Sequence, residues 1–305
     1  MPRPLRVATR SSALARWQAE RVASLLGGEV ELVPVATAGD LDLTTPLHTL
    51  GGAGVFVKEV QAAVLDGRAD LAVHSAKDLP ASDTPEGLVL AAVPERGDPR
   101  DALVGSTLAA LPPGARVATG SVRRRAQLAA LRPDLTFAEL RGNIATRLEK
   151  AARFDAIVVA LVALERLGLQ DRVADVLDPF DVCPQVGQGA LAVECRTDDK
   201  DTLARLAAID DTPAHRAVDA ERAVLAQLGS GCDLPCGALA SVDNDGITID
   251  AVLASPDGRV VLRTTARDDD PVVAGTRAAI FLLDHGGRAL LDDAVDDELP
   301  TGGTR

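Results

Sequence analysis

Short apolar runs alternate with longer amphipathic stretches along most of this chain. A run of consecutive apolar residues such as Ala156–Ala160 is typical of a strand that is buried on both faces. Apolar residues spaced three or four apart, between a capping serine and a pair of glycines, predict a helix over residues 12–26. The alternation predicts two βαβ blocks, in which parallel strands carry helices on both faces of the sheet.

The two blocks are separated by a turn-rich stretch, residues 94–99, which predicts a hinge or a domain boundary. The first block has predicted strands at residues 5–9, 30–37, 69–74 and 88–93 and helices at 12–26 and 55–65. The second has predicted strands at 115–119, 135–140 and 156–160 and helices at 121–131 and 143–153. After a break at residues 184–189, a further strand is predicted at 190–195.

Beyond Gly229 the pattern changes to strands joined by tight turns. Residues 237–242, 247–254 and 260–266 predict antiparallel strands, because Asn244-Asp245-Gly246 and Pro256-Asp257-Gly258 are turn sequences. Helices are predicted at 214–228 and 272–283. We therefore predict an α/β domain from residues 1–95 plus 190–212, a second from 96–189, and a small α+β domain from 213–305.

Length and composition are those of a globular protein with more than one domain. The chain has 305 residues, of which 47% are hydrophobic and 25% charged. Because it has no apolar run long enough to cross a bilayer and no apolar stretch of a secretory signal at its start, we expect a cytoplasmic protein without a membrane partner. Four cysteines are few for a chain of this length, so its stability does not require disulfides. A net charge of −13 and few aromatic residues argue against a nucleic-acid partner.

One segment has the opposite charge to the rest of the chain. Residues 116–153 carry nine basic side chains, eight of them arginine, against three acids, which makes 9 − 3 = +6. A guanidinium group binds carboxylate or phosphate through two parallel hydrogen bonds. The segment predicts a site for a small polyanion, with a set of solvated helix faces as the alternative.

Polar and basic residues also gather where predicted strands meet helices, which is where α/β proteins bind anions. Arg123 and Arg124 lie in the first turn of a predicted helix, where their charge opposes the helix dipole unless an anion lies between them. Ser121 either caps that helix or binds a ligand. Arg141 and Arg147 flank a turn at the next strand end, so that both can face one cleft.

The third strand ends with Lys77 beside Asp78. A lysine in this position can hold a substrate anion while the carboxylate stabilises a developing cation, and a surface ion pair is the alternative. His74 fits a packed strand histidine better than a base. Cys232 is flanked by glycine on a loop and can be an attachment point or a nucleophile. A zinc site at Cys232 and Cys236 is disfavoured because no well-spaced second pair of ligands accompanies them.

Several of these motifs stand in a specific order along the chain. They include Ala8-Thr9-Arg10-Ser11-Ser12, His74-Ser75-Ala76-Lys77-Asp78-Leu79-Pro80, Gly120-Ser121-Val122-Arg123-Arg124, Arg141-Gly142-Asn143-Ile144-Ala145-Thr146-Arg147, Val186-Gly187-Gln188-Gly189-Ala190 and Gly231-Cys232-Asp233-Leu234-Pro235. In this order and spacing the chain resembles the porphobilinogen deaminase (hydroxymethylbilane synthase) family along nearly its whole length. The resemblance implies two type II periplasmic-binding-protein-like α/β domains with doubly wound mixed sheets, and a small C-terminal α+β domain.

The resemblance also implies a transferase of porphyrin (haem and other tetrapyrrole) biosynthesis. Such an enzyme adds four porphobilinogen molecules head to tail, with release of ammonia, to a covalent dipyrromethane cofactor, and water then releases the linear tetrapyrrole. One cofactor per chain is implied, joined by a thioether to Cys232, with no metal and a monomeric protein. The implied catalytic residue is Asp78, which would stabilise the cation left by deamination. The implied cofactor-binding residues are Lys77, Asp78, Thr119, Ser121, Arg123, Arg124 and Gln188. The implied substrate-binding residues are Arg10, Ser12, Phe56, Arg141 and Arg147.

Four positions depart from the family pattern. Thr49 and Ala53 stand where the family often has loop lysines, Ser230 replaces a glycine before Cys232, and Cys236 is an additional thiol. Two alternatives to the enzyme are a two-lobed anion-binding receptor without catalysis, since the same folds serve as solute receptors, and an RNA-interacting protein that uses Arg123, Arg124 and Arg125. Neither alternative needs Cys232 or Asp78.

Overall fold

The computed structural model describes residues 4–37, 54, 56–82, 84–229 and 234–291. Within these residues the strands are β1 Leu5–Arg10, β2 Val30–Val35, β3 Leu71–Ser75, β4 Leu88–Ala92, β5 Asp101–Val104, β6 Arg116–Ala118, β7 Thr136–Ala138, β8 Ala156–Ala160, β9 Asp175–Val176, β10 Leu191–Arg196, β11 Cys236–Asp243, β12 Gly246–Ala254 and β13 Val261–Asp268. The α-helices are α1 Ala13–Leu26, α2 Lys58–Leu65, α3 Val122–Leu131, α4 Ile144–Lys150, α5 Leu161–Arg166, α6 Lys200–Leu206, α7 Thr212–Leu228 and α8 Pro271–Leu282.

Two five-stranded sheets share one plan. The first has the order β2-β1-β3-β10-β4 and the second β7-β6-β8-β5-β9. In the first, β1 is parallel to β2 and β3, and β10 is antiparallel to its neighbours β3 and β4. In the second, β6 is parallel to β7 and β8, and β5 is antiparallel to β8 and β9. The expected doubly wound mixed sheets are confirmed. The parallel strands predicted for the two βαβ blocks are found, but β10 and β5 run antiparallel to their neighbours, which apolar runs do not reveal.

The chain passes twice between the two sheets, once after β4 and once before β10. The passages meet where the Gly97 amide donates to the Gly189 carbonyl at 3.1 Å. Gly189 has φ +90°, and a Cβ atom there would collide with the Gly97 carbonyl oxygen. A glycine is required at this crossing because the two backbones approach too closely for a side chain. The predicted turn at residues 94–99 is one of the two passages.

The C-terminal region is an antiparallel sheet of order β11-β12-β13 covered by α7 and α8. Its core includes Val224, Ile249, Leu253 and Leu282, each almost fully buried. The predicted hairpin is confirmed, because Asp243 pairs with Gly246 across the turn. No helix among the described residues is both long and apolar enough to span a membrane.

Candidate active site

A cavity of about 60 Å³ opens at the carboxyl ends of β1 and β3. Arg10, Ser12, Phe56 and Asp78 line it, so four of the residues predicted for the site lie together. The Arg10 guanidinium carbon lies 4.0 Å from the centre of the Phe56 ring, a cation–π contact. Ser12 caps α1, because its hydroxyl accepts from the Ala15 amide at 3.3 Å. Parallel strand ends and a helix N-terminus together build this pocket.

A second group of polar side chains is centred on Asp101, the first residue of β5. Its carboxylate is fully buried and accepts from Arg123 Nη2 at 2.7 Å, from Arg124 Nε at 3.0 Å and from Arg124 Nη2 at 2.8 Å. Burial opposes its ionisation, but the charges of Arg123 and Arg124 outweigh that effect and hold the pKa of Asp101 far below its usual range. Asp101 was not among the residues predicted for the site.

The two arginines are enclosed by the protein. Arg123 is 2% and Arg124 5% exposed. Arg123 Nη1 donates to the Cys183 carbonyl at 2.6 Å, and Arg124 Nη1 donates to the Val158 carbonyl at 3.3 Å. Arg123 Nε, by contrast, is buried without a hydrogen-bond partner. Because buried donors are almost always paired, this nitrogen is suited to an acceptor that a ligand supplies. A carboxylated cofactor fits this site better than an apolar one.

Gln188 connects this group to the end of β3. The side chain is fully buried, and its Nε2 donates to Asp101 Oδ1 at 2.8 Å. Its Oε1 accepts from Lys77 Nζ at 3.2 Å and from Arg124 Nη2 at 3.3 Å. One neutral amide thus joins Lys77, next to Asp78 on the first sheet, to the arginines of the second sheet.

Lys77 is partly exposed as a residue, but its ammonium end is surrounded by protein. Burial, and then the charge of Arg124, lower its pKa to about 8, while Asp78 and Asp101 act in the opposite direction. This means that the Lys77 ammonium begins to lose its proton just above neutral pH. A lysine in this state holds an anion most strongly below pH 8.

The turn after β7 brings Arg147 close to the same charged groups. Asn143 caps α4 by accepting from the Thr146 amide at 3.0 Å, and Arg147 Nε donates to the Gly142 carbonyl at 2.7 Å. Burial, and then the charge of Arg124, lower the pKa of Arg147 to about 10, while Asp78 raises it and Arg141 lowers it. Arg147 therefore lies within electrostatic reach of Asp78, Arg124 and Arg141.

Thr119 and Ser121 lie at the start of α3. The Thr119 hydroxyl accepts from the Ser121 amide at 3.2 Å, and the Ser121 hydroxyl accepts from the Arg124 amide at 3.4 Å. The capping role of Ser121 is confirmed, since this bond satisfies a free amide in the first turn of the helix. A ligand role for either hydroxyl stays a prediction.

The predicted attachment residue Cys232 lies outside the described residues, as do Thr49, Ala53 and Ser230. The other three thiols are buried. Burial raises the pKa of Cys183 and of Cys236 to about 12, and that of Cys195 to about 11. At neutral pH these three cysteines are almost entirely in the thiol form and are weak nucleophiles.

The fold and the site together define a class: a two-lobed α/β protein with buried arginines around a carboxylate, joined through Gln188 to the end of β3. Residues 5–204 match the family model described as porphobilinogen deaminase, dipyromethane cofactor binding domain, and residues 215–284 match that of the porphobilinogen deaminase C-terminal domain. The porphobilinogen deaminase of Roseiflexus sp. (strain RS-1) is 48% identical over 95% of this chain and 99% of its own length. That of Acidithiobacillus ferrooxidans (strain ATCC 53993 / BNL-5-31) is 44% identical over 96% and 99%.

The chain belongs to the porphobilinogen deaminase family. The resemblance found in the sequence is therefore confirmed, together with the transferase class and the dipyrromethane cofactor-binding domain that it implied. These matches support the enzyme over the alternative of a receptor without catalysis.

Proposed function

We propose that this chain is a hydroxymethylbilane synthase, which condenses four porphobilinogen molecules head to tail, releases ammonia and hydrolyses the product to a linear tetrapyrrole. The observation that carries the proposal is the group of buried cations around Asp101, which Gln188 joins to Lys77 next to Asp78 and in which Arg123 Nε is a buried donor without a partner. Each pyrrole unit brings two carboxylates, so a growing chain needs several cationic groups to neutralise it.

The proposed cofactor is one dipyrromethane, joined by a thioether to Cys232. Support comes from the three described cysteines, whose buried thiols have raised pKa values that make them poor nucleophiles. Bound in this way, the cofactor supplies a carboxylated pyrrole as the acceptor for substrate. The residues proposed to hold it are Lys77, Asp78, Thr119, Ser121, Arg123, Arg124 and Gln188.

The incoming substrate is proposed to bind near the cavity at the ends of β1 and β3. Arg10 and Ser12 lie at this cavity and can bind the substrate carboxylates, and the Phe56 ring packs against Arg10. Arg141 and Arg147 are proposed to bind carboxylates from the second lobe. Their role is positioning: they hold the two pyrroles next to each other. The reaction then takes place between bound neighbours and does not require a collision in solution.

Asp78 is proposed to stabilise the positive charge that develops on the substrate ring as ammonia leaves. It lines the cavity that also contains Arg10 and Phe56. A carboxylate fixed in place before the reaction needs no reorganisation when the charge develops, and this lowers the barrier. Arg147 and Lys77 lie within electrostatic reach of Asp78, so the same site can bind the acidic side chains of the substrate.

The test combines intact mass and turnover. Protein made in cells that synthesise porphobilinogen should carry the additional mass of two linked pyrroles. Asp78→Asn should keep that mass and the fold but lose most turnover, whereas Asp66→Asn, which removes an exposed carboxylate, should leave turnover unchanged. A bare polypeptide, or normal turnover in Asp78→Asn, would contradict the proposal.

The organisation of the chain is also proposed. We retain the division into residues 1–95 plus 190–212, 96–189 and 213–305, a monomeric state, and the cytoplasm as location. The two passages between the sheets, with their glycine crossing, support independent lobes. Limited proteolysis should cut at these boundaries first, and first cuts inside the sheets would contradict the domain division. Sedimentation should give the mass of one chain, and the mass of a dimer would contradict the monomeric state.

A further inference from the structure

A further polar side chain faces the Asp78 cavity. His74 on β3 is 5% exposed and lines the cavity together with Arg10, Phe56 and Asp78. It precedes Asp78 by four residues in the same strand and turn. The mechanism proposed above gives this imidazole no role.

A buried carboxylate stands behind the ring. His74 Nε2 lies 3.1 Å from Glu194 Oε2, and both side chains are almost completely buried. Glu194 is on β10, where Ala192 pairs with His74. Gln61 of α2 donates its Nε2 to both carboxylate oxygens, at 3.1 and 3.0 Å. Three separate elements thus fix the carboxylate next to the ring.

This contact determines which ring nitrogen carries the proton. Nε2 lies 3.1 Å from Glu194 Oε2 without the alignment of a hydrogen bond, so the carboxylate faces this side of the ring. A bare lone pair facing a carboxylate would be repelled, and the neutral ring therefore keeps its proton on Nε2. Nδ1 is then an acceptor. Within the described part of the chain nothing donates to Nδ1 or accepts from it, and His74 is one of the residues that line the cavity.

The condensation reaction releases a proton, which a base must accept. The bond between the substrate methylene carbon and its nitrogen breaks, and the electron pair leaves with ammonia. That methylene carbon then bonds to the free ring carbon of the acceptor pyrrole. The hydrogen on this ring carbon must depart as a proton, and its bonding electrons restore the aromatic ring. One proton and one ammonia are thus released for each bond formed, which together make ammonium.

We propose that His74, oriented and polarised by Glu194, is the base that accepts this ring proton on Nδ1. The imidazolium that forms is stabilised by Glu194 and passes its proton to the departing ammonia or to solvent. The other charged groups around the pair are Asp78 and Arg10 at the cavity, and Arg222 of α7, which acts on Glu194 electrostatically. The proposal rests on the function proposed above.

The first experiment compares His74→Gln with His215→Gln, a matched control whose imidazole pairs with Asp210 at 2.8 Å outside the cavity. A base of this kind contributes about 10²- to 10⁴-fold to rate. His74→Gln should therefore lose about 10²-fold or more in kcat while KM, cofactor mass and unfolding midpoint stay near normal. Substrate deuterated at the free ring carbon should react measurably more slowly than unlabelled substrate in His74→Gln, because proton removal then limits the rate.

The second experiment does not depend on turnover. The chain has four histidines, so ¹⁵N-histidine spectra can be assigned by comparison with His74→Gln. In the wild type, His74 Nδ1 should resonate as an unprotonated nitrogen, and Glu194→Gln should move it toward a mixture of tautomers. If His74→Gln does not fold, the His74 signals are assigned by elimination from variants of the other three histidines, and the spectra remain decisive.

Three outcomes would overturn the inference: a protonated Nδ1 in the neutral wild-type ring, turnover within a few-fold of normal in His74→Gln, or a loss of rate without any effect of deuterium. Failure of the proposed function looks different, because it would show as missing cofactor mass in the wild type.

Discussion

Replacing Asp101 by asparagine should destabilise the protein severely. The change removes the carboxylate that Arg123 and Arg124 share at 2.7 and 2.8 Å, and leaves two buried guanidinium groups without their counter-charge. Breaking a buried ion pair from one side costs about 3–5 kcal/mol. Because domains are stable by only about 5–15 kcal/mol, such a loss is a large fraction of the total.

Urea unfolding followed by circular dichroism measures this effect. With a slope of about 3 kcal/mol per molar urea, the midpoint should fall by about 1 M or more. Asp134→Asn is the matched control, since Asp134 binds Arg132 with a similar 2.7 Å contact at the surface, and its midpoint should hardly move. Equal midpoints for the two variants would refute the reasoning that burial gives the Asp101 pair its strength.

The pH dependence has a defined sign. The pKa of Asp101 is lower in the folded protein than the value of about 3.9 in an unfolded chain. Its ionised carboxylate therefore makes its full contribution to the free energy of unfolding above about pH 4. It is lost as the pH falls below about 4, where the unfolded state takes up a proton first. Asp101→Asn should therefore show a flatter loss of stability than the wild type between about pH 4 and pH 2. If the curves of unfolding free energy against pH were parallel for the two proteins, the pH dependence could not be assigned to Asp101.

Three further outcomes are expected. Arg124→Leu should yield protein without the cofactor mass, whereas Arg125→Leu, at the partly exposed neighbouring position, should stay loaded; a loaded Arg124→Leu protein would contradict the proposed role. At low substrate concentration the rate should fall as the pH rises through about 8, because the Lys77 ammonium loses its charge there. Lys77→Arg should move that fall to higher pH, and an unchanged profile would remove Lys77 from the explanation. Cys236→Ser should keep the covalent mass and Cys232→Ser should lose it, and the reverse pattern would place the attachment at Cys236.

Most elements followed from local signals. Ser12 and Ser121 begin helices because their hydroxyls satisfy free amides, and turn sequences define the C-terminal hairpins. Four short elements, β5, β9, α5 and α6, were not predicted from the sequence; they have two to seven residues. Elements this short show less than two full turns of a pattern, and tertiary burial rather than local propensity holds them.

The site residues also fall into those that local sequence signals predicted and those that they did not. Strand ends and helix starts marked Arg10, Asp78 and Arg124 as neighbours of a cleft. Asp101 and Glu194 were missed, although Glu194 is a single acid in an otherwise apolar run and Asp101 directly precedes one, and a buried acid of that kind needs a partner. That signal indicates a buried charge without identifying its partner, which lies 22 or 23 residues away for Asp101.

The sequence by itself determined the alternation of strands and helices, the excess of arginine in one segment and the family, because these depend on local periodicity, composition and the order of motifs. Only the tertiary structure decided that β5 and β10 run antiparallel, that Asp101 holds Arg123 and Arg124, and that Glu194 lies behind His74. These pairings depend on which distant segments are brought into a low-dielectric interior, where an unpaired charge is too costly to keep.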